Sequence, residues 1–260
     1  MLPKSILITR PQGQQQDMMQ ALTDAGWHCL HQPLLRILPI DEQHPQFHDM
    51  KNKVMNIDQY DIIITVTSNA STLAFDWIDQ YWPQLPVGIQ WFAVGHGSAV
   101  PLMPLGMLFN LPDSHHSEGL LALPELKDVT GKKVLILRGK GGREHLANSL
   151  TERGAQVSYC EFYERAPENV DKAQFSRLLS QQQIHYALVT SGEMAQQLTE
   201  CVDGPLLSSI HLLVPSERIH KQLQNNGRAQ HFAAIHVCPS LKLDNLIPQL
   251  EDIYQATATE

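Results

Sequence analysis

The sequence predicts an α/β protein with two parallel-sheet units of similar topology. Three observations carry this. Short apolar or β-branched runs alternate with helically spaced stretches along the chain, the pattern of parallel strands joined by right-handed crossovers. A strand–turn–helix–strand segment near the N-terminus recurs mid-chain. At one constant offset Ile8 falls on Ile136, Arg10 on Arg138, Gly13 on Gly141, Leu22 on Leu150, Thr23 on Thr151 and Gly26 on Gly154, with Met18 and Met19 on Leu146 and Ala147. Finally, the second half replays the first: Thr67-Ser68 matches Thr190-Ser191, and Phe92-Ala93-Val94 matches Leu212-Leu213-Val214.

Residues 6–9 form the first strand, and Arg10, Pro11 and Gly13 its turn. The following helix keeps Met18, Met19 and Leu22 on one face and ends at Gly26. Residues 27–38 read as extended, interrupted at Pro33, and the polar 41–53 as a mobile connection or a short helix. The continuous run 61–66 (DIIITV) suits a strand covered on both faces. Thr67, Ser68 and Asn69 then open the helix STLAFDWIDQYW. Residues 91–94 are a strand, Gly95-His96-Gly97-Ser98-Ala99 begins a helix closed at Gly106, and 108–111 is a short strand. His115, His116 and Ser117 precede a helix over 118–123. The recurring segment takes strand 134–137, the turn glycines Gly139, Gly141 and Gly142, a helix closed by Gly154, and a strand towards Tyr163. Helices over 171–181, 193–199, 217–224 and 241–254 then alternate with strands over 186–189, 211–214 and 231–237.

In such sheets ligands bind beyond the carboxyl ends of the strands. That rule selects Arg10, Thr67, Ser68, Ser98, Arg138, Thr190, Ser191 and Ser216, each after a strand and before a helix. Hydroxyls and free N–H groups at helix starts favour carboxylates or phosphates, and arginines add forked, charge-assisted contacts. A lone serine or threonine at such a place is more often a plain N-cap, so the weight rests on recurrence in both halves.

Other patterns are weaker. The glycines after residue 138 invite a dinucleotide fingerprint, but Glu144 stands where GxGxxG needs its third glycine, and no P-loop is present. His28-Cys29-Leu30-His31 offers metal-ligand types, yet neighbours on a strand face opposite ways. His115-His116 reads as a solvated loop, whereas His96, just after a strand, is placed to move a proton near neutral pH. No GxSxG elbow occurs, and Ser98 in GHGSA has other flanks.

The chain has 260 residues, 43% of them apolar, and a net charge of -8, which disfavours a general nucleic-acid binder without excluding an anionic substrate in a locally positive cleft. Cys29, Cys160, Cys201 and Cys238 form no CxxC and read as reduced thiols of a cytoplasmic protein. No apolar run is long enough to span a membrane, and the first strand starts too early to leave room for a signal peptide.

ILITRP, VTSNAS, FAVGHGSA, LILRGKGGREHLANSLTERGA, CEFYERAP and VTSGEM occur in the order found in uroporphyrinogen-III synthases, and the chain resembles that family over nearly its whole length. The combination of LRGxxGRExL with a tyrosine-bearing strand downstream is its most specific part. The resemblance implies two α/β domains joined by a two-stranded antiparallel linker, the chain crossing from the first domain to the second and back. Here that means domain 1 over 1–35 and 167–260 and domain 2 over 36–166, with linker strands near 34–38 and 161–166. Leu35 and Tyr163 keep the repeat offset, which agrees with a paired linker.

The implied reaction closes hydroxymethylbilane, a linear tetrapyrrole with many carboxylates, into uroporphyrinogen III. Ring D is inverted and water is lost, through a spiro-pyrrolenine, in a cleft between the domains. The resemblance implies no metal or organic cofactor, and the charge and hydropathy above point to neither nucleic acid nor membrane as a partner. No long exposed apolar helix calls for obligate assembly, so a monomer is expected, and transient hand-over from the bilane-producing enzyme is compatible with the implied reaction. Tyr163 matches the family's linker-strand tyrosine and is expected to be catalytic, as proton donor or positioning group. Tyr159, four residues back, is expected on the same face as a backup. Arg10, Thr67, Ser68, Asn69, His96, Ser98, Arg138, Thr190, Ser191 and Ser216 are the expected substrate contacts. A non-catalytic anion-binding module is the main alternative on sequence grounds, ahead of a nucleotide-sugar transferase.

Overall fold

A computed structural model describes residues 3–114, 116–142 and 144–257. In chain order these form β1 (Ser5–Ile8), α1 (Gln16–Asp24), β2 (His28–His31), β3 (Leu35–Pro39), α2 (Phe47–Met55), β4 (Ile62–Thr65), α3 (Ser68–Tyr81), β5 (Gln90–Ala93), α4 (His96–Ala99), β6 (Phe109–Asn110), α5 (Ser117–Ala122), β7 (Lys133–Gly139), α6 (His145–Glu152), β8 (Gln156–Pro167), α7 (Lys172–Gln181), β9 (Tyr186–Leu188), α8 (Gly192–Cys201), α9 (Gly204–Leu207), β10 (His211–Val214), α10 (Glu217–Asn225), β11 (Ala234–Val237) and α11 (Leu243–Thr257). The chain forms two compact units: one from its two ends, up to Arg36 and from Ala166, the other from Ile37–Arg165.

The first unit holds the parallel sheet β11-β10-β9-β1-β2, and the second the order β6-β5-β4-β7-β8, also parallel, with β3 added beside β8. Ile40 N–H donates to Phe162 O and Glu168 N–H to Leu34 O, so β3 and β8 run in opposite directions. Successive strand residues face opposite layers of helices. In the first unit Leu7 packs with Ala187 and Leu198, whereas Ile6 and Ile8 pack with Met18 and Leu22. The second unit does the same with Leu135, Ile63 and Ala74, against Val134, Ile136, Leu146 and Leu150. Burial on both faces is what the unbroken Ile62-Ile63-Ile64 run provides, at about 1.5–3 kcal/mol per side chain.

The repeat extends to individual hydrogen bonds. After α1, Ala25 N–H reaches Ala21 O (3.1 Å), Gly26 N–H reaches Thr23 O (2.9 Å) and Trp27 N–H reaches Leu22 O (2.9 Å). After α6 the equivalents are Arg153 to Ser149 (3.1 Å), Gly154 to Thr151 (2.9 Å) and Ala155 to Leu150 (3.1 Å). Gly26 and Gly154 hold φ of 84° and 86°, which is why glycine stands at both ends.

Several expectations need correction. Strand register pairs Ile6 with Tyr186 and Val134 with Ile62, so the equivalent helix caps are Thr67 and Ser191, not Thr67 and Thr190. Likewise Gln90 corresponds to His211, which puts Phe92 on Leu213 and Gly95 on Ser216, one residue from the sequence match. The segment 41–53 resolves into α2, whose Phe47, Met50 and Val54 are buried, and α9 was not expected. The interruption expected at Pro33, which lacks an N–H to donate, is present: residues 27–38 form β2 and β3 on either side of it, whereas β8 is continuous. The last strand is shorter, with a 3-10 turn at Ala229–His231 before it.

Candidate active site

In the second unit a cavity of about 250 Å³ opens at the carboxyl ends of β4 and β7, alongside β8. Tyr163 crosses its floor because of two features of the β7–β8 pair. Arg138 is opposite Glu161, but the next residue, Gly139, is opposite Tyr163, so Phe162 is an inserted residue, a β-bulge. The bulge turns both Phe162 and Tyr163 into the core layer of Leu135, whereas Tyr159 packs with the layer of Ile136. Tyr159 and Tyr163 therefore do not share a core face as expected, although both line the cavity.

The second feature is Gly139. A Cβ on this residue would stand 2.4 Å from Tyr163 Cζ and 2.5 Å from its Cε2, so the ring lies flat across bare backbone. Tyr163 is 2% exposed, and its hydroxyl is 3.3 Å from Thr67 Oγ1. Thr67 in turn caps α3 by accepting the Ala70 N–H at 3.1 Å.

Arg138, 6% exposed, donates from Nε to Gly139 O (3.0 Å) and lies 4.4 Å over the Tyr159 ring, a cation–π contact. Burial raises the Tyr159 phenol above its ordinary pKa, and the Arg138 charge pulls it partway back. Arg165 also lines the cavity, its Nη2 donating to Lys140 O at 3.5 Å. Among the described lining residues there are two cations and no carboxylate, in a chain of net charge -8. A positive field beside hydroxyls is suited to an anion.

Of the expected contacts, the structure brings Thr67, Arg138 and Tyr163 together here. Ser68 and Asn69 lie in the first turn of α3, and His96 and Ser98 in α4; none of the four lines this cavity. Ser98 offers its carbonyl to Ser71 Oγ at 2.6 Å. His116 caps α5 through Nδ1 and Gly119 N–H (3.1 Å); its expected neighbour His115 lies outside the described residues.

In the first unit Arg10, Thr190, Ser191 and Ser216 sit at the ends of β1, β9 and β10. Burial holds the Arg10 guanidinium below its ordinary pKa, with Asp17 opposing. Ser191 caps α8 by accepting Met194 N–H at 3.1 Å, Thr190 Oγ1 contacts Met194 Sδ at 3.2 Å, and Ser216 occupies the cap of α10 without a side-chain capping bond. His28 meets Gln182, and His31 meets the Arg10 carbonyl. Sequence reasoning missed Gly139 as the seat of the tyrosine, and it missed Arg165. The latter had a signal: it stands two residues beyond Tyr163 on the same strand.

A family model described as uroporphyrinogen-III synthase HemD matches residues 16–239. The chain is 35% identical over 232 residues to the uroporphyrinogen-III synthase of Escherichia coli K12, covering 86% of this chain and 92% of that one. It is 34% identical over 196 residues to that of Proteus mirabilis, covering 75% and 96%. Two solved structures share the fold at 15% identity. They are uroporphyrinogen III synthase of the extremely thermophilic bacterium Thermus thermophilus (TM-score 0.64, 98% of this chain and 99% of that one) and the synthetase of Helicobacter pylori 26695 (TM-score 0.56, 99% and 100%). Matched over most of its length, and carrying the tyrosine-bearing strand beside a glycine-turn arginine, the chain belongs to the uroporphyrinogen-III synthase family.

Proposed function

We propose that the family reaction, conversion of hydroxymethylbilane into uroporphyrinogen III with loss of water, takes place at the cavity that Tyr163 lines. The observation that carries this reading is the Tyr163–Thr67 hydroxyl pair in a cavity lined by Arg138 and Arg165 and no described carboxylate. Tyr163 donates its proton to the hydroxyl departing from ring A. The C–O bond breaks, water leaves, and the pyrrole nitrogen lone pair stabilises the cation that forms. Ring D attacks that carbon to give the spiro-pyrrolenine and is inverted as the spiro centre reopens. The proton finally lost from the new ring restores Tyr163, so one bilane yields one macrocycle and one water. Because the bilane also closes unaided without inversion, much of catalysis is the holding of one folded conformation.

Arg138 takes a substrate carboxylate, and Thr67 orients the phenol. Ser68, Asn69, His96 and Ser98, with Arg10, Thr190, Ser191 and Ser216 of the first unit, supply donors for further carboxylates. The protein acts as a cytoplasmic monomer that receives the bilane directly from the enzyme making it. Four free cysteines fit a reducing compartment, and direct transfer leaves less time for unassisted closure.

The test is incubation with freshly made hydroxymethylbilane and separation of the type I and type III isomers. Type III product is expected; only type I, as in a blank, would sink the assignment and favour a binding module. Elution as a larger species in size-exclusion chromatography would refute the monomer.

A further inference from the structure

The cavity is too small for the whole linear substrate. Pockets for drug-sized ligands run from roughly 300 to 1,000 Å³, and this one holds about 250 Å³. Its walls are divided. Ile136, Leu146 and Ala147 make one side apolar, and the other carries the Tyr163 and Thr67 hydroxyls with Arg138 and Arg165. The two guanidinium groups converge on Gly142. Their Nη2 atoms lie 3.1 and 3.9 Å from the point where its Cβ would stand, and so at most 7.0 Å from each other. A carboxylate placed between two cations at this separation, an oxygen to each at about 2.8 Å, spans the gap and gains from both.

We infer that this cavity is a one-ring subsite: it seats a single pyrrole, the one that loses its hydroxyl, and bridges that ring's carboxylate arm between Arg138 and Arg165. The inference rests on the reading of Tyr163 given above for which ring is seated, but not for the bridge. It makes Arg165 a specificity-determining residue. The arm held at Gly142 fixes which edge of the ring faces the Tyr163 hydroxyl. The apolar wall accepts the ring face, and the glycine there leaves room for both guanidinium groups.

The test uses a free pyrrole carrying one acetate arm, and its methyl ester, as inhibitors of type III formation by the intact enzyme. The acid is expected to compete with the bilane at millimolar concentration and the ester not to. Arg165→Gln is expected to raise the inhibition constant of the acid by about tenfold to a hundredfold, the range for losing a hydrogen bond to a charged group, while Arg165→Lys, which keeps a point charge, loses less. Arg165 is half-exposed, so both variants should fold, which their thermal transitions report. Equal inhibition by acid and ester, no inhibition by the acid, or an Arg165→Gln constant within twofold of the parent's would each overturn the subsite. Unchanged turnover in Tyr163→Phe would instead overturn the catalytic reading, leaving the carboxylate bridge to stand or fall on its own inhibition data.

Discussion

Gly139→Ala tests how the tyrosine is held. The new methyl would sit 2.4, 2.5 and 2.8 Å from Cζ, Cε2 and Cε1 of Tyr163, whereas ordinary contact is 3.4–4 Å, so the ring must retreat by about 1 Å. Its hydroxyl is already 3.3 Å from Thr67 Oγ1, and that displacement breaks the contact. Misplacing a reacting group by about 1 Å can cost about a hundredfold in rate, and overpacking costs about 1–3 kcal/mol of stability. The assay is kcat and KM with hydroxymethylbilane for Gly139→Ala, Tyr163→Phe and the double variant, with urea unfolding of each. Phenylalanine keeps the clashing ring and removes only the hydroxyl. The stability loss from the methyl should therefore be the same in both backgrounds. The fall in kcat, between tenfold and a hundredfold in the parent, should shrink to less than twofold once the hydroxyl is gone. An equal fall in both backgrounds would show that Gly139 acts through something other than the Tyr163 hydroxyl, and an unchanged kcat would show that the hydroxyl position does not matter.

Tyr163→Phe alone should lower kcat more than it changes KM, read by steady-state kinetics with isomer separation. Thr67→Val should lose about 1 kcal/mol with the α3 cap as well as orientation of the phenol, and Thr67→Ser should restore both; urea midpoints and kcat separate the two effects. Arg138→Lys should raise KM about tenfold, because lysine keeps the charge but loses the forked geometry over Tyr159; a loss of stability at constant KM would mean a structural role only. Burial, reinforced by His211, holds the His236 pKa below its ordinary value, and the two rings share a hydrogen bond of 3.1 Å. Because the folded-state value is the lower one, the contribution is complete above the unfolded value of about 6.5 and is lost as pH falls through the folded value. Urea stability should therefore drop between about pH 7 and 5, and His236→Gln should flatten that drop.

How much of this was readable from the residues depends on landmarks. The strand–turn–helix repeat was legible because glycines with positive φ and buried apolar positions recur at one offset, and the capping bonds of α1 and α6 reproduce it. The match between β4 and β9, and between β5 and β10, slipped by one residue because short all-apolar strands carry no internal marker of register. The helix caps Thr67, Ser191, Gly95 and Ser216 are the markers, and a capping position becomes visible only when the helix start is placed. The bulge at Phe162 was beyond reach, since it exists only in the pairing of β8 with β7. For the same reason Gly139 read as a turn glycine rather than as the seat of a ring.

The two copies differ where the chemistry is. Both keep an arginine at the carboxyl end of the strand, Arg10 and Arg138, and both keep a hydroxyl helix cap, Ser191 and Thr67. On the proposed reading those shared groups bind anions, and either unit has them. At the position of Tyr163 the first unit has Leu35, 1% exposed and packed with Leu34 in the layer of Leu7, as Phe162 and Tyr163 pack in the layer of Leu135. At the position of Gly139 it has Pro11, and at that of Tyr159 it has His31, whose ring bonds the Arg10 carbonyl and offers no comparable aromatic support to the guanidinium. A tyrosine at residue 35 would thus lack both its bare-backbone seat and a stacked arginine neighbour. On the proposed mechanism, anion capture is a property of the repeated scaffold, whereas proton donation draws on three linked departures from it in the second unit: glycine under the ring, tyrosine on the bulged strand, and an aromatic face for the arginine.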